Sequence, residues 1–129
     1  MMQNINVCWI DHLPVLVARV SMRHRTVNLG HLILMNHKAW GERATYRHQV
    51  THVEQLIEHC YLGYIIPWLF SRRFRLRMDA DAYRVELACS EFSEHPEVKE
   101  RLAKRLAREH RIGVDRARMI LSMTRGCPV

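Results

Sequence analysis

The sequence of 129 residues has no apolar run long enough to cross a bilayer. Its longest, Tyr61 to Phe70 (YLGYIIPWLF), falls well short of the roughly 20 residues a spanning helix needs and carries Pro67 inside it. The opening MMQNINVCWIDHLP lacks the basic segment and long apolar core of a secretory leader. Cys8, Cys60, Cys89 and Cys127 contain no C-x-x-C pair, and their wide spacing does not read as the framework of a small secreted domain. Internal repeats and low-complexity segments are also missing. Together these absences predict a soluble, cytoplasmic protein with no membrane span. A hydrophobic share of 48% and a charged share of 26% are those of an ordinary globular chain, which excludes wholesale disorder and collagen-like repeats. The length suits one domain with one real core.

Two things are abundant: histidine, with nine copies, and positive charge, with a formal net of +7. Between residues 5 and 36, short runs of Val, Ile and Leu are punctuated by Pro14, Asn28-Leu29-Gly30 and Asn36. They predict two or three strands in a meander or hairpin, with Leu32 to Met35 open to a helical alternative. From Glu42 to Tyr64 the spacing of Val50, Val53, Leu56 and Ile57 predicts one long helix that Pro67 ends or kinks. SRRFRLR (71–77) reads as a basic connector. Helices are expected over 78–92, 96–110 and 114–124, with a boundary at Glu94-His95-Pro96 and Gly113 as punctuation. Cys60 and Cys89 read as small buried hydrophobes, and YLGYIIPWLF as a helix packed in the core rather than an interfacial patch.

His48 and His52 are four residues apart on the first helix, so they face within about 40° of each other and differ in rise by about 6 Å. Two imidazoles so placed can reach one metal ion. The segment reads H-Q-x-x-H, against the H-E-x-x-H of zinc peptidases, in which the glutamate is the general base. Gln55 and His59 continue the stripe. His59 lies too far along the axis to share a metal with the pair, so it reads as an orienting or packing residue, and Gln55 is placed to hydrogen-bond near the site. Asp79 and Asp81 open a later helix that can turn back and offer a carboxylate. Two histidines, a carboxylate and an open position make a catalytic-type zinc site.

The run from about Ile5 to Cys89 resembles the small zincin-like metallopeptidases of phages and bacteria. The residues that carry the resemblance are Trp9-Ile10-Asp11-His12-Leu13-Pro14, Asn28-Leu29-Gly30, Arg47 through Gln55 (RHQVTHVEQ) and Asp79-Ala80-Asp81-Ala82-Tyr83. The layout is more distantly similar to repressor-cleaving metallopeptidases of the ImmA/IrrE type. The resemblance implies a zincin-like α+β fold: a small N-terminal antiparallel sheet on a helical core, with residues 1–93 as the metal-site domain and 94–129 as a basic helical extension packed on the same core. It implies Zn2+ held by His48, His52 and Asp79, with Asp81, Gln55 and His59 behind them and Glu86 an outsider. Tyr83, four residues after Asp79, would orient that ligand or steady an oxyanion. The substrate would be a protein or peptide.

Two positions depart from the family pattern. Gln49 stands where the base belongs, and a carboxamide has no comparably basic lone pair; the chain is then a pseudo-enzyme or a catalytic-residue variant, binding zinc with little or no hydrolysis. Asp79 is one methylene shorter than the family's glutamate. Glu54 and Glu58 point away from His48 and do not replace the base. The competing function is a non-enzymatic binding protein that contacts nucleic acid or an acidic protein through Arg101, Lys104, Arg105 and Arg108. Pairs Glu97 with Arg101 and Glu100 with Lys104 favour instead a solvated helix face. The fragment RLAREHRIGVDRARMIL has the length of a helix–turn–helix, but its second helix is short for recognition.

Overall fold

The computed structural model describes residues 4–90 and 96–123. The expected boundary at Glu94-His95, the last residues of the 78–92 helix, Thr124 and Cys127 lie outside the described residues. β1 (Ile5–Ile10) and β2 (Leu13–Arg19) form an antiparallel hairpin. Its two-residue turn, Asp11 and His12, is left-handed at both positions (φ 48° and 65°), the turn geometry that matches strand twist. β3 (Thr26–Asn28) and β4 (Leu32–Met35) form a second hairpin, and β4 then lies parallel to β2, giving the order β1-β2-β4-β3. Gly30 turns this hairpin at φ +80°, and a Cβ there would come within 3.3 Å of Leu56, so the position favours glycine on both counts.

Five helices follow: α1 (Arg43–Glu58), α2 (Leu62–Phe70), α3 (Arg72–Cys89), α4 (Pro96–His110) and α5 (Val114–Leu121). The α+β class is as expected from the sequence. The sheet differs from the expectation in being four-stranded and mixed rather than antiparallel, because β4 inserts between β2 and β3.

Alternation along β2 and β4 sends Val15, Val17, Ile33 and Met35 to one face, where Val50 and Val53 of α1 cover them. A second apolar cluster joins Tyr83 of α3 to Leu102, Ala103 and Leu106 of α4 and Ala117 and Leu121 of α5. Helix α1 thus has its apolar side on the sheet. Its polar residues His48, Gln49, Thr51 and Gln55 are buried as well, and Gln55 reaches α3 by donating to the carbonyl of Met78.

The long helix expected over 42–64 is broken at 59–61, not at Pro67. Cys60 N–H bonds to the carbonyl of Ile57 and Tyr61 N–H to that of Leu56, while Cys60 and Tyr61 are left-handed. This is a Schellman termination with cysteine where glycine usually stands. Pro67 lies inside α2. Nor is 71–77 a connector: Ser71 caps α3 by accepting from Phe74 N–H at 3.1 Å, and arginines, which tolerate helices well, fill its first turns. Ser71→Ala is expected to lower stability by about 1 kcal/mol, read as a fall in urea midpoint at unchanged slope. Two other expectations are corrected. Cys60 is exposed, and Cys89, though buried, is disulfide-bonded rather than a plain apolar packer. Helix α2 buries none of its residues. No helix among the described residues is long and apolar enough to cross a membrane.

Candidate metal centre

A cavity of about 520 Å³ opens where α1, α2, α3, α4 and the β3–β4 turn meet, and His48, Gln49, His52, Asp79 and Tyr83 all line it. The sequence-predicted residues of three motifs therefore share one wall. The rings of His48 and His52 pack edge to face with centroids 5.0 Å apart, and His48 packs in the same way on Tyr83 at 4.7 Å.

The hydrogen-bond partners fix one proton of His52, that on Nδ1. Gln55 Nε2 donates to the Met78 carbonyl at 2.9 Å, which can only accept, so its Oε1 is the atom that faces His52 Nδ1 at 3.1 Å. Nδ1 must therefore carry the proton and donate. Burial, with the neighbouring His48 adding to it, lowers the His52 pKa to about 4, so the ring is neutral near pH 7 and its Nε2 holds a lone pair. That nitrogen lies 3.3 Å from Asp79 Oδ1. With the ring neutral, a lone pair faces a carboxylate oxygen at this contact.

His48 has Glu86 behind it. Its Nδ1 is sealed from solvent, 2.9 Å from Glu86 Oε1 but outside hydrogen-bond geometry, so a carboxylate is its neighbour without being an aligned acceptor. The proximity favours the proton on Nδ1 and the lone pair on Nε2. On the far side of Asp79, Oδ2 accepts from His110 Nε2 at 2.6 Å. Asp79, Glu109 and His110 offer ligand atoms that all lie within 4.8 Å of one another, a group that can hold a metal ion; His48 and His52 are not in it. Its polar atoms are already engaged, however: Glu109 Oε2 accepts from Tyr83 OH at 2.8 Å and Oε1 from Arg105 at 3.3 Å.

Gln49 is pinned to the sheet edge. Its Oε1 accepts from Asn28 Nδ2 at 3.1 Å and its Nε2 donates to Thr26 Oγ1 at 2.9 Å. Tyr83 donates to Glu109 rather than to Asp79, which separates it from the ligand-orienting role the sequence implied. Gln55 stands where expected, hydrogen-bonded to His52. His59 bonds through Nδ1 to the Gln55 carbonyl and packs against Tyr64 and Phe74, away from the pair. Asp81 is half-buried and does not line the cavity. Glu86, Glu109 and His110 were missed as partners or undervalued; their only advance signal was the i, i+3 spacing of Glu86 from Tyr83.

The basic residues of α4 divide. Arg101, Lys104 and Arg108 are exposed. Arg105 is half-buried over the Tyr83 ring and paired with Glu109. Glu100 pairs across to Arg118 of α5 at 2.6 Å, in place of the expected ion pair with Lys104. No family model, curated protein or solved structure matches the chain.

Proposed function

We propose that this chain is a zincin-like metal-binding protein, with His48, His52 and Asp79 as the ligands of a zinc ion and with peptide hydrolysis silenced by Gln49. The observation that carries the reading is the His52 Nε2–Asp79 Oδ1 pair at 3.3 Å. Two donors of one tetrahedral zinc stand about 3.4 Å apart, given bonds of about 2.0–2.2 Å. A neutral imidazole and a carboxylate at that separation repel unless a cation joins them.

The supporting partners fit the same reading. Metal-bound histidines donate their other nitrogen to a fixed acceptor, and ligating carboxylates are themselves hydrogen-bonded. Gln55 serves His52, Glu86 stands behind His48, and His110 holds Asp79. The Oδ2 side of Asp79 is the poorer place for the ion, because its donors and acceptors already satisfy one another. When bound, the ion would act as a Lewis acid on a carbonyl oxygen in the cavity. Residue 49 would have to remove a proton from water, which its carboxamide cannot do.

Elemental analysis of protein loaded with zinc and desalted is expected to give about one ion per chain, as a three-ligand site with an open position does. His52→Ala and His48→Ala should abolish that retention, whereas His110→Ala should weaken it by only about 10–100-fold, the cost of losing an orienting partner. Zinc that survives His52→Ala but disappears with His110→Ala would place the ion on the other side of Asp79. Absence of stoichiometric zinc from the parent would end the reading.

A further inference from the structure

The cavity accounts for one face of α2; the rest of that helix is unexplained. Leu62, Ile66, Leu69 and Phe70 are exposed, Phe70 to 83%, and the helix buries no residue. A wholly apolar helix left in water is unusual, since an exposed apolar patch of this kind marks a docking surface.

The segment that follows names the partner. Arg72, Arg73, Arg75 and Arg77 fill the first two turns of α3, and Arg73 and Arg77, four residues apart on one face, are exposed. Arg75 Nη1 donates back to the Trp68 carbonyl at 2.6 Å, which sets its charge at the C-terminal end of α2 beside Leu69 and Phe70. Arg73 and Arg77 line a second cavity of about 410 Å³ together with Arg84 and Ser71, and no acidic residue lines it. Apolar side chains next to exposed arginines and a cationic cavity lined by no acid match the two layers of an anionic bilayer surface, acyl chains below and phosphates above.

We infer that α2 and the first turns of α3 form a peripheral docking face for anionic membranes. The apolar residues of α2 enter the acyl boundary, and Arg73 and Arg77 lie among the lipid phosphates. At nine residues α2 is about 13 Å long and lies in the interface without crossing it. The inference does not depend on zinc. Nucleic acid would use the arginines but leaves the apolar face without a purpose, and a second copy of this chain would bring like charges together.

The test is flotation with vesicles of phosphatidylcholine containing about one third phosphatidylserine, beside vesicles of phosphatidylcholine alone. The full chain is expected to float with the first and not the second, and less so at high salt. Leu69→Asp with Phe70→Asp should cut the bound fraction more than tenfold. Arg73→Glu with Arg77→Glu should cut it by at least about fivefold for each arginine. All four positions are at the surface, and circular dichroism checks that the variants stay folded. No flotation with the anionic vesicles would overturn the inference. So would flotation that ignores Leu69→Asp with Phe70→Asp, salt-sensitive retention on nucleic acid without vesicle binding, or a dimer in sedimentation that the same pair dissociates while vesicles are left unbound.

Discussion

Gln49→Glu is expected to raise peptide hydrolysis by the zinc-loaded protein by roughly 10²–10⁴-fold, the range a positioned general base contributes. The surroundings of residue 49 accept a carboxylate without rearrangement. Asn28 Oδ1 takes the Gly30 N–H at 2.9 Å, which fixes the Asn28 amide so that its Nδ2 points at residue 49. That donor suits a carboxylate oxygen at least as well as a carboxamide one. The second partner, Thr26 Oγ1, accepts from Gln49 at present and can turn its hydroxyl to donate instead. Glutamate would therefore sit in the same rotamer, on the wall of the same cavity, with both oxygens engaged. The measurement is cleavage of a broad quenched-fluorescence peptide library by the parent and the variant, each with its zinc content determined. Zinc-loaded variant that cleaves no better than the parent would remove the peptidase reading and leave the metal site standing. Loss of zinc from both would remove the two together.

The helical part of the site was legible from spacing alone. His48 and His52 fall on one helix face at i, i+4, Gln55 continues it, and all three occupy that face here. Asp79 was reachable because the next long helix packs antiparallel to the first and delivers its acid to the histidines, although Asp79 lies about two turns into α3 and not at its start. Its second partner was not. His110 lies 31 residues further on, in a helix whose sequence reads as a basic surface face, and only the packing of α4 on Tyr83 brings it to Asp79. Nothing local in RLAREHR distinguishes a histidine turned inward from one left in water. The pairing of β2 with β4 is equally non-local, since a parallel neighbour is chosen by the whole sheet and not by alternation within a strand. The break after Glu58 left no signal because its left-handed residues are Cys60 and Tyr61, where the usual marker is glycine. Helix α2 misled in the opposite direction. Its composition is that of a buried helix, and hydrophobicity states what a segment avoids but not which partner relieves it.

Asp79→Asn separates the two explanations of the His52–Asp79 contact, and it does so in protein stripped of metal. Were the contact a buried ion pair, with His52 protonated, removing the carboxylate would strand a charge and cost about 3–5 kcal/mol. The low pKa that burial imposes on His52 says otherwise. His52 is neutral with its Nε2 lone pair toward residue 79. An asparagine amide can then donate to that nitrogen while its oxygen still accepts from His110, turning a repulsive contact into a hydrogen bond. The metal-free variant should therefore unfold within about 1 kcal/mol of the parent, since one charge-assisted bond to His110 weakens while one new bond forms. With zinc the order reverses. At a free concentration one hundred times its Kd, zinc should stabilise the parent by about 2.7 kcal/mol, a rise in Tm of order 10 °C for a chain of this size. The variant has exchanged its anionic donor for an amide and should show almost none of that rise. Thermal melts of both proteins, with and without zinc, read the four corners of this cycle. A large loss of stability in the metal-free variant would mean that His52 and Asp79 are a structural ion pair, and zinc would have no vacancy to fill between them.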